Sequence, residues 1–232
     1  MNLSDILKTT EDLLYQIILW ILLIPKTLYK VIRQPAWVSE YVENELIKPV
    51  DDRFDAFMSP LLFFVLVAVL PNLIANTFWP ETPYTDFMTH RGIVEHSGSL
   101  NSQHRFLVYG CMWAFLPLSY SLVHQISMGK QITKSCFRPT FYAHCMKVAP
   151  ASIPFIIRFI LVKNLDPLPG PLLAINLGTL VVVFVWLIYS DVALTRKMRN
   201  VSRAKAVTLG LLGLVIYYGF IAPVILIENA IK

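Results

Sequence analysis

Apolar residues fall along this chain in long runs, and short segments rich in charged and turn-forming residues separate the runs. Five of the runs, at about 57–79, 105–126, 141–162, 171–193 and 206–227, approach the roughly 20 residues that carry a helix across a hydrocarbon core. The pattern predicts an all-α, polytopic membrane protein. Residues 56–232 form a five-helix transmembrane domain, and residues 1–55 precede it as cytoplasmic or interfacial helices.

The N-terminal part is patterned differently. Leu13 to Ile24 is apolar, but it is cut short at Pro25 and flanked by Glu11, Asp12, Lys26, Lys30 and Arg33. About twelve apolar residues are too few to cross a bilayer, so this segment is expected to lie in the membrane interface, with a hairpin as the alternative. Its acidic start and the lack of a small-residue cleavage site argue against a signal peptide. Pro35 to Leu46 reads as a second amphipathic helix, and Ser59-Pro60 as the cap and first position of the first span. Prolines at 71, 117, 150 and 154 fall inside spans, where each removes a backbone donor and is expected to kink its helix.

Composition agrees with a membrane protein. With 56% hydrophobic residues, 15% charged residues and a mean hydropathy of +0.57, the chain has too little polar surface to cover a soluble domain. The net charge of +5 does not point to nucleic acid, because the cations sit in short loops between apolar runs. The segment Leu194–Lys205 holds Arg196, Lys197, Arg199, Arg203 and Lys205 and no acid; Lys130, Lys134 and Arg138 mark the loop before the third span. Lys/Arg counts are six, three and five in the segments assigned inside, against one in each segment assigned outside. That alternation places the N-terminus in the cytoplasm and Lys232 outside. The basic side chains are candidates for contacts with anionic lipid headgroups or a protein partner. The three cysteines have no paired spacing and do not suggest a disulfide framework.

Candidate chemistry is sparse. His90, Glu95, His96 and His104 share one exterior loop without metal-site spacing, and they read as a solvated loop. His124, His144, Lys147 and Asp191 lie within about two turns of the cytoplasmic ends of their spans, hence at similar depth, and could meet. Ionisable groups inside a span are expected to pair or snorkel. Lys147 with Asp191 is the expected pair, and a proton or ion relay is the functional alternative. Arg158 lies nearer the exterior and could reach Asp166 or Glu228. Ala206, Gly210 and Gly213 allow a close approach to the fifth span. There is no phosphate-binding loop, nucleophile with an ordered base or paired-carboxylate motif, so neither an enzyme nor a cofactor or metal is expected.

In order and texture the chain resembles the Yip family, the Ypt-interacting-protein-like five-span membrane proteins. The resemblance covers roughly Pro35 to Ile227. It rests on Pro35-Ala-Trp-Val-Ser-Glu, Ser59-Pro-Leu-Leu-Phe-Phe64, Phe141-Tyr-Ala-His-Cys-Met-Lys-Val-Ala-Pro150, Val185-Trp-Leu-Ile188 and Val201-Ser-Arg-Ala-Lys-Ala206. Trafficking members carry a longer polar N-terminal region than this chain does, so the resemblance implies a bacterial-type relative in an inner membrane, with an ER or Golgi membrane as the alternative. It implies no catalytic residues. The preferred expectation is a non-catalytic membrane protein that organises or docks a partner, a membrane synthase or trafficking machinery, through its cytoplasmic face, alone or as a homo-oligomer. The alternative is a small-solute permease, or a subunit of one, that uses the intramembrane polar residues.

Overall fold

A computed structural model describes residues 3–71, 73–74, 102–129, 131–162 and 170–230. These residues are 87% helical and contain no strand. The helices are α1 (Leu3–Arg33), α2 (Trp37–Ile47), α3 (Pro60–Phe64), α4 (Ser102–Ser127), α5 (Lys134–Val162), α6 (Gly170–Arg199) and α7 (Arg203–Ala230). Among the described residues, three stretches are long and apolar enough to cross a membrane: Lys8–Arg33, Leu177–Arg199 and Arg203–Phe220. In α4 and α5, which are 26 and 29 residues long, buried polar residues such as Ser119, Ser121, His124, Gln125 and Lys147 interrupt the apolar run.

The helix α1 corrects the expectation that the N-terminal apolar segment is too short to cross a bilayer: one helix of 31 residues runs through Pro25, and its Lys8–Arg33 stretch is long and apolar enough to cross. An exposed proline on one side of a helix costs one hydrogen bond and a local bend, and the flanking residues here keep the helix going. The helix packs against α5, with Thr27 and Val31 of its second half fully buried, while Leu14, Tyr15, Ile18, Ile21 and Leu22 face outward. Met58 N donates to Thr27 Oγ1 at 3.1 Å and Lys26 Nζ to Ala56 O at 2.8 Å, so α1 also fixes the approach to α3.

The second amphipathic helix forms as expected. Val38, Tyr41 and Val42 are buried on one face of α2 and Glu40 and Glu43 are exposed on the other. Trp37 stacks on Tyr41 with ring centroids 4.5 Å apart, and both rings meet Phe57 edge-on. The following turn hangs on Glu45, which is buried. Its carboxylate accepts from Phe54 N at 2.6 Å, where the backbone has φ +65°, and from Lys48 Nζ at 2.6 Å.

The first predicted span begins at Pro60 with Ser59 as its cap residue; its last residues, 75–79, lie outside the described structure. At Pro71 the expected kink takes the form of a π-helical segment, Val65–Val69, which widens the turn ahead of the proline ring. Pro71 has no N–H for the carbonyl four residues earlier, that of Val67. Ser152 Oγ of α5 lies 2.9 Å from that oxygen and 2.8 Å from Ala149 O, so a side chain from another helix meets the freed acceptor. Pro117, Pro139, Pro150 and Pro154 sit inside continuous helices. The helix α5 starts at Lys134, seven residues before the predicted span, which makes Lys134–Arg138 helical.

Candidate functional site

Four helices meet around one buried polar centre. The helix α4 contributes Tyr120 and His124; α5 contributes His144 and Lys147; α6 contributes Asp191 and Thr195, all buried. The fourth, α7, contributes the glycines that let the others fit. A Cβ on Gly210 would lie 2.8 Å from Asp191 Oδ2, and one on Gly213 would lie 2.6 Å from Tyr120 Cδ1. Of the expected close approach at Ala206, Gly210 and Gly213, the two glycines show it, and what they admit is a carboxylate and an aromatic ring.

His124, His144, Lys147 and Asp191, expected at similar depth, come together. Lys147 Nζ donates to Asp191 Oδ1 at 2.5 Å, and His144 Nδ1 lies 3.8 Å from the same oxygen. The ammonium also stands over the Tyr120 ring, 3.2 Å from its centroid. A cation stripped of water is held by an opposite charge and by the negative face of an aromatic ring, and Lys147 has both. Thr195 Oγ1 is 3.5 Å from Asp191 Oδ2 and 2.8 Å from His124 Nε2, which links the histidine to the carboxylate through a hydroxyl. The two imidazoles meet edge to face at 4.8 Å, and Tyr120 stacks on His144 at 5.5 Å. Trp186 Nε1 donates to Lys147 O at 3.2 Å, tying α6 to the same turn of α5.

Several polar atoms in this centre have no hydrogen-bond partner among the described residues: both ring nitrogens of His144, His124 Nδ1 and the Tyr120 hydroxyl; the same holds for both amide atoms of Gln125, the buried residue that follows His124 on α4. His124, His144 and Asp191 also offer ligand atoms within 4.8 Å of one another, the donor set of a two-histidine, one-carboxylate metal site. The Lys147 ammonium already stands against that carboxylate, so the position next to Asp191 that a dication would need carries a positive charge.

The basic residues separate into two groups. Arg196, Lys197, Arg203 and Lys205 are exposed, as are Lys134 and Arg138. Lys197 Nζ pairs with Glu40 Oε2 of α2 at 3.3 Å, and the Arg138 guanidinium lies over the Tyr142 ring. Arg199 departs from the expectation of a solvated loop cation. Its Nη1 donates to Ser127 Oγ at 2.6 Å and its Nη2 donates to His124 O, so it closes the basic end of the centre by clamping α6 onto the last turn of α4. Lys130, Asp166 and the loop residues His90, Glu95 and His96 lie outside the described residues. Arg158 is on α5, but its side chain and those of His104 and Glu228 are also outside the description.

Tyr120, Thr195 and Gln125 were not among the residues singled out from sequence. The available signal was spacing: Tyr120 lies one turn before His124, and Thr195 one turn after Asp191. No protein-family model, no curated protein and no solved structure matches this chain, so the chemistry of the centre has to be read from its own atoms.

Proposed function

We propose that the protein is a permease, or a permease subunit, in which Lys147, Asp191, His124 and His144 form an intramembrane relay for a proton or a small protonated solute. The observation that carries this reading is the convergence of four ionisable side chains at full burial with imidazole nitrogens left unpartnered. A buried polar group with no partner costs about 1–3 kcal/mol, so these nitrogens favour a centre that takes up a proton, a water or a solute. Groups that take and release protons need that spare capacity. Ser119, Ser121, Gln125, Ser190 and Thr195 add buried polar residues to those visible as charges, which favours the permease alternative over the organiser.

The finer topology belongs to the same proposal. Five spans, with the N-terminus in the cytoplasm, the C-terminus outside and the chain in a bacterial inner membrane, are supported by the distribution of Lys and Arg. Although α1 is long and apolar enough to cross, it lies along the interface in this arrangement; the cations Lys26 and Lys30 within it support that placement, with its apolar face turned to lipid. The motif order from Pro35 to Ala206 supports a bacterial-type Yip relative.

A docking role is the second reading, favoured by the exposed cations Arg196, Lys197, Arg203 and Lys205 at one end of the bundle. Purified protein in liposomes loaded with a pH-sensitive dye separates the two. Proton flux under an imposed gradient, lost in Asp191→Asn and Lys147→Met variants that still fold, supports the relay. Flux no greater than in protein-free liposomes overturns it. The docking reading then predicts that charge reversal at Arg196 and Lys197 abolishes co-purification of a partner.

A further inference from the structure

A cleft of about 300 Å³ opens at the basic end of the bundle, between the α1–α2 turn and the last turns of α6. Arg33 and Lys197 bring two cations to it, Glu40 brings one acid, and Trp37, Tyr189 and Ala193 form apolar walls. We propose that this cleft binds the phosphate headgroup of an anionic phospholipid. The proposal is independent of the relay, since none of these residues belongs to the buried centre.

Size, charge and continuity each bear on the ligand. The volume is at the lower end of small-molecule sites, enough for a glycerophosphate group but not for a whole lipid. The rest of the molecule has a place to go. Tyr29 and Ile32 on α1, and Val182, Val185 and Tyr189 on α6, are exposed by 47–62%. Spacings of three and four put the α6 residues on the face that also carries Ala193 and Lys197, so an apolar track leads away from the cleft. A free phosphate would leave that track bare, whereas acyl chains would cover it. Aromatic rings beside cations at the end of an apolar span are the usual furniture of a headgroup layer.

The cleft also holds its own competitor. Glu40 Oε2 pairs with Lys197 Nζ at 3.3 Å, both side chains being more than half exposed. Arg33 keeps one donor on Tyr29 Oη at 2.5 Å, which steadies the guanidinium and leaves its other N–H groups to face a ligand. A phosphate entering the cleft takes over Lys197 from Glu40. Removing the carboxylate should therefore strengthen binding, and removing the cations should weaken it.

Native mass spectrometry of the full-length protein, titrated in detergent with phosphatidylglycerol or phosphatidylcholine, tests this directly. Phosphatidylglycerol should bind more tightly than phosphatidylcholine. The double variant Arg33→Gln, Lys197→Gln should lose about 25-fold in affinity for phosphatidylglycerol, at about fivefold for each cation. Glu40→Gln should gain affinity, which no misfolded protein would mimic. The control Arg196→Gln, Arg203→Gln removes two exposed cations that do not line the cleft and should lose clearly less. Equal losses in the two double variants, no gain in Glu40→Gln, or full displacement of the lipid by millimolar inorganic phosphate would each overturn the proposal.

Discussion

Replacing Gly210 by alanine sets two well-defined effects against each other. In a helix interior the change favours folding by about 1 kcal/mol, because glycine has more backbone freedom to lose. At this position the new methyl carbon would lie 2.8 Å from Asp191 Oδ2 and 3.4 Å from Asp191 Cγ. The carboxylate has little room to yield: its other oxygen is 2.5 Å from Lys147 Nζ, and Oδ2 itself faces Thr195 Oγ1. Overpacking of this kind costs about 1–3 kcal/mol. Displacing the carboxylate from a buried ammonium adds to that, since losing such a partner outright costs about 3–5 kcal/mol. The steric term therefore wins, and Gly210→Ala should be destabilising by about 1–3 kcal/mol. Gly219 lies on the same helix with nothing within 4 Å of the corresponding Cβ position, as does Gly178 on α6. There only the helix term acts, and alanine should be neutral or stabilising. Equilibrium unfolding in mixed micelles, followed by tryptophan fluorescence, measures all three variants. If Gly210→Ala stabilises the protein as much as Gly219→Ala does, the close packing of α7 on Asp191 is wrong.

Lys147→Met or Asp191→Leu alone should cost about 3–5 kcal/mol, and the two combined should recover part of it; strictly additive losses in the same unfolding assay would show that the two groups do not meet. Arg199→Gln should cost about 1.5–3 kcal/mol through its charged hydrogen bonds to α4, while Arg196→Gln should stay within about 0.5 kcal/mol, so equal effects would refute the clamp. Ser152→Ala should destabilise by about 1–2 kcal/mol, and Ser152→Thr, which keeps a hydroxyl, by less; equal melting temperatures for Ser152→Ala and the parent would remove Ser152 as the donor to Val67 O. Single cysteines replacing Lys8 and Gln34 should both react with an impermeant maleimide from the cytoplasmic side of inverted vesicles, and labelling from opposite sides would place α1 across the membrane.

The polar centre was legible in the sequence because charged and imidazole side chains inside apolar runs are conspicuous, and counting turns from a basic loop fixes their depth. Counting does not fix which way a side chain points around its helix. That is why Tyr120 and Thr195 became visible as part of the centre only once α4, α5 and α6 were packed, and why Arg199 passed for another loop cation. The prolines were only partly legible for a related reason. Pro25 and Pro71 each remove one donor, which reads as the end of an apolar run at the first and as a kink at the second, but how the helix accommodates the loss depends on neighbours that a local pattern does not contain. In the first case the helix simply continues, and in the second Ser152 supplies the hydrogen bond. Glu45 was hidden in the same way: an acid near the end of an amphipathic helix reads as solvated, and its burial follows from the left-handed turn at Phe54 that it stabilises.

The bond between Ser152 and the Val67 carbonyl has a consequence for biosynthesis. The two residues are 85 positions apart, so the hydroxyl that stands in for the donor missing at Pro71 does not yet exist when α3 leaves the ribosome. At about 5–20 residues per second, the wait is roughly 4–17 s. During that interval the π-helical segment Val65–Val69 that follows α3 has to hold its opened turn against water, or against whatever protein escorts it, and it reaches its final state only when α5 is delivered beside it. The order of synthesis thus leaves an early helix incomplete until a later one arrives, and a chain truncated before Ser152 should persist as a substrate for quality-control proteases.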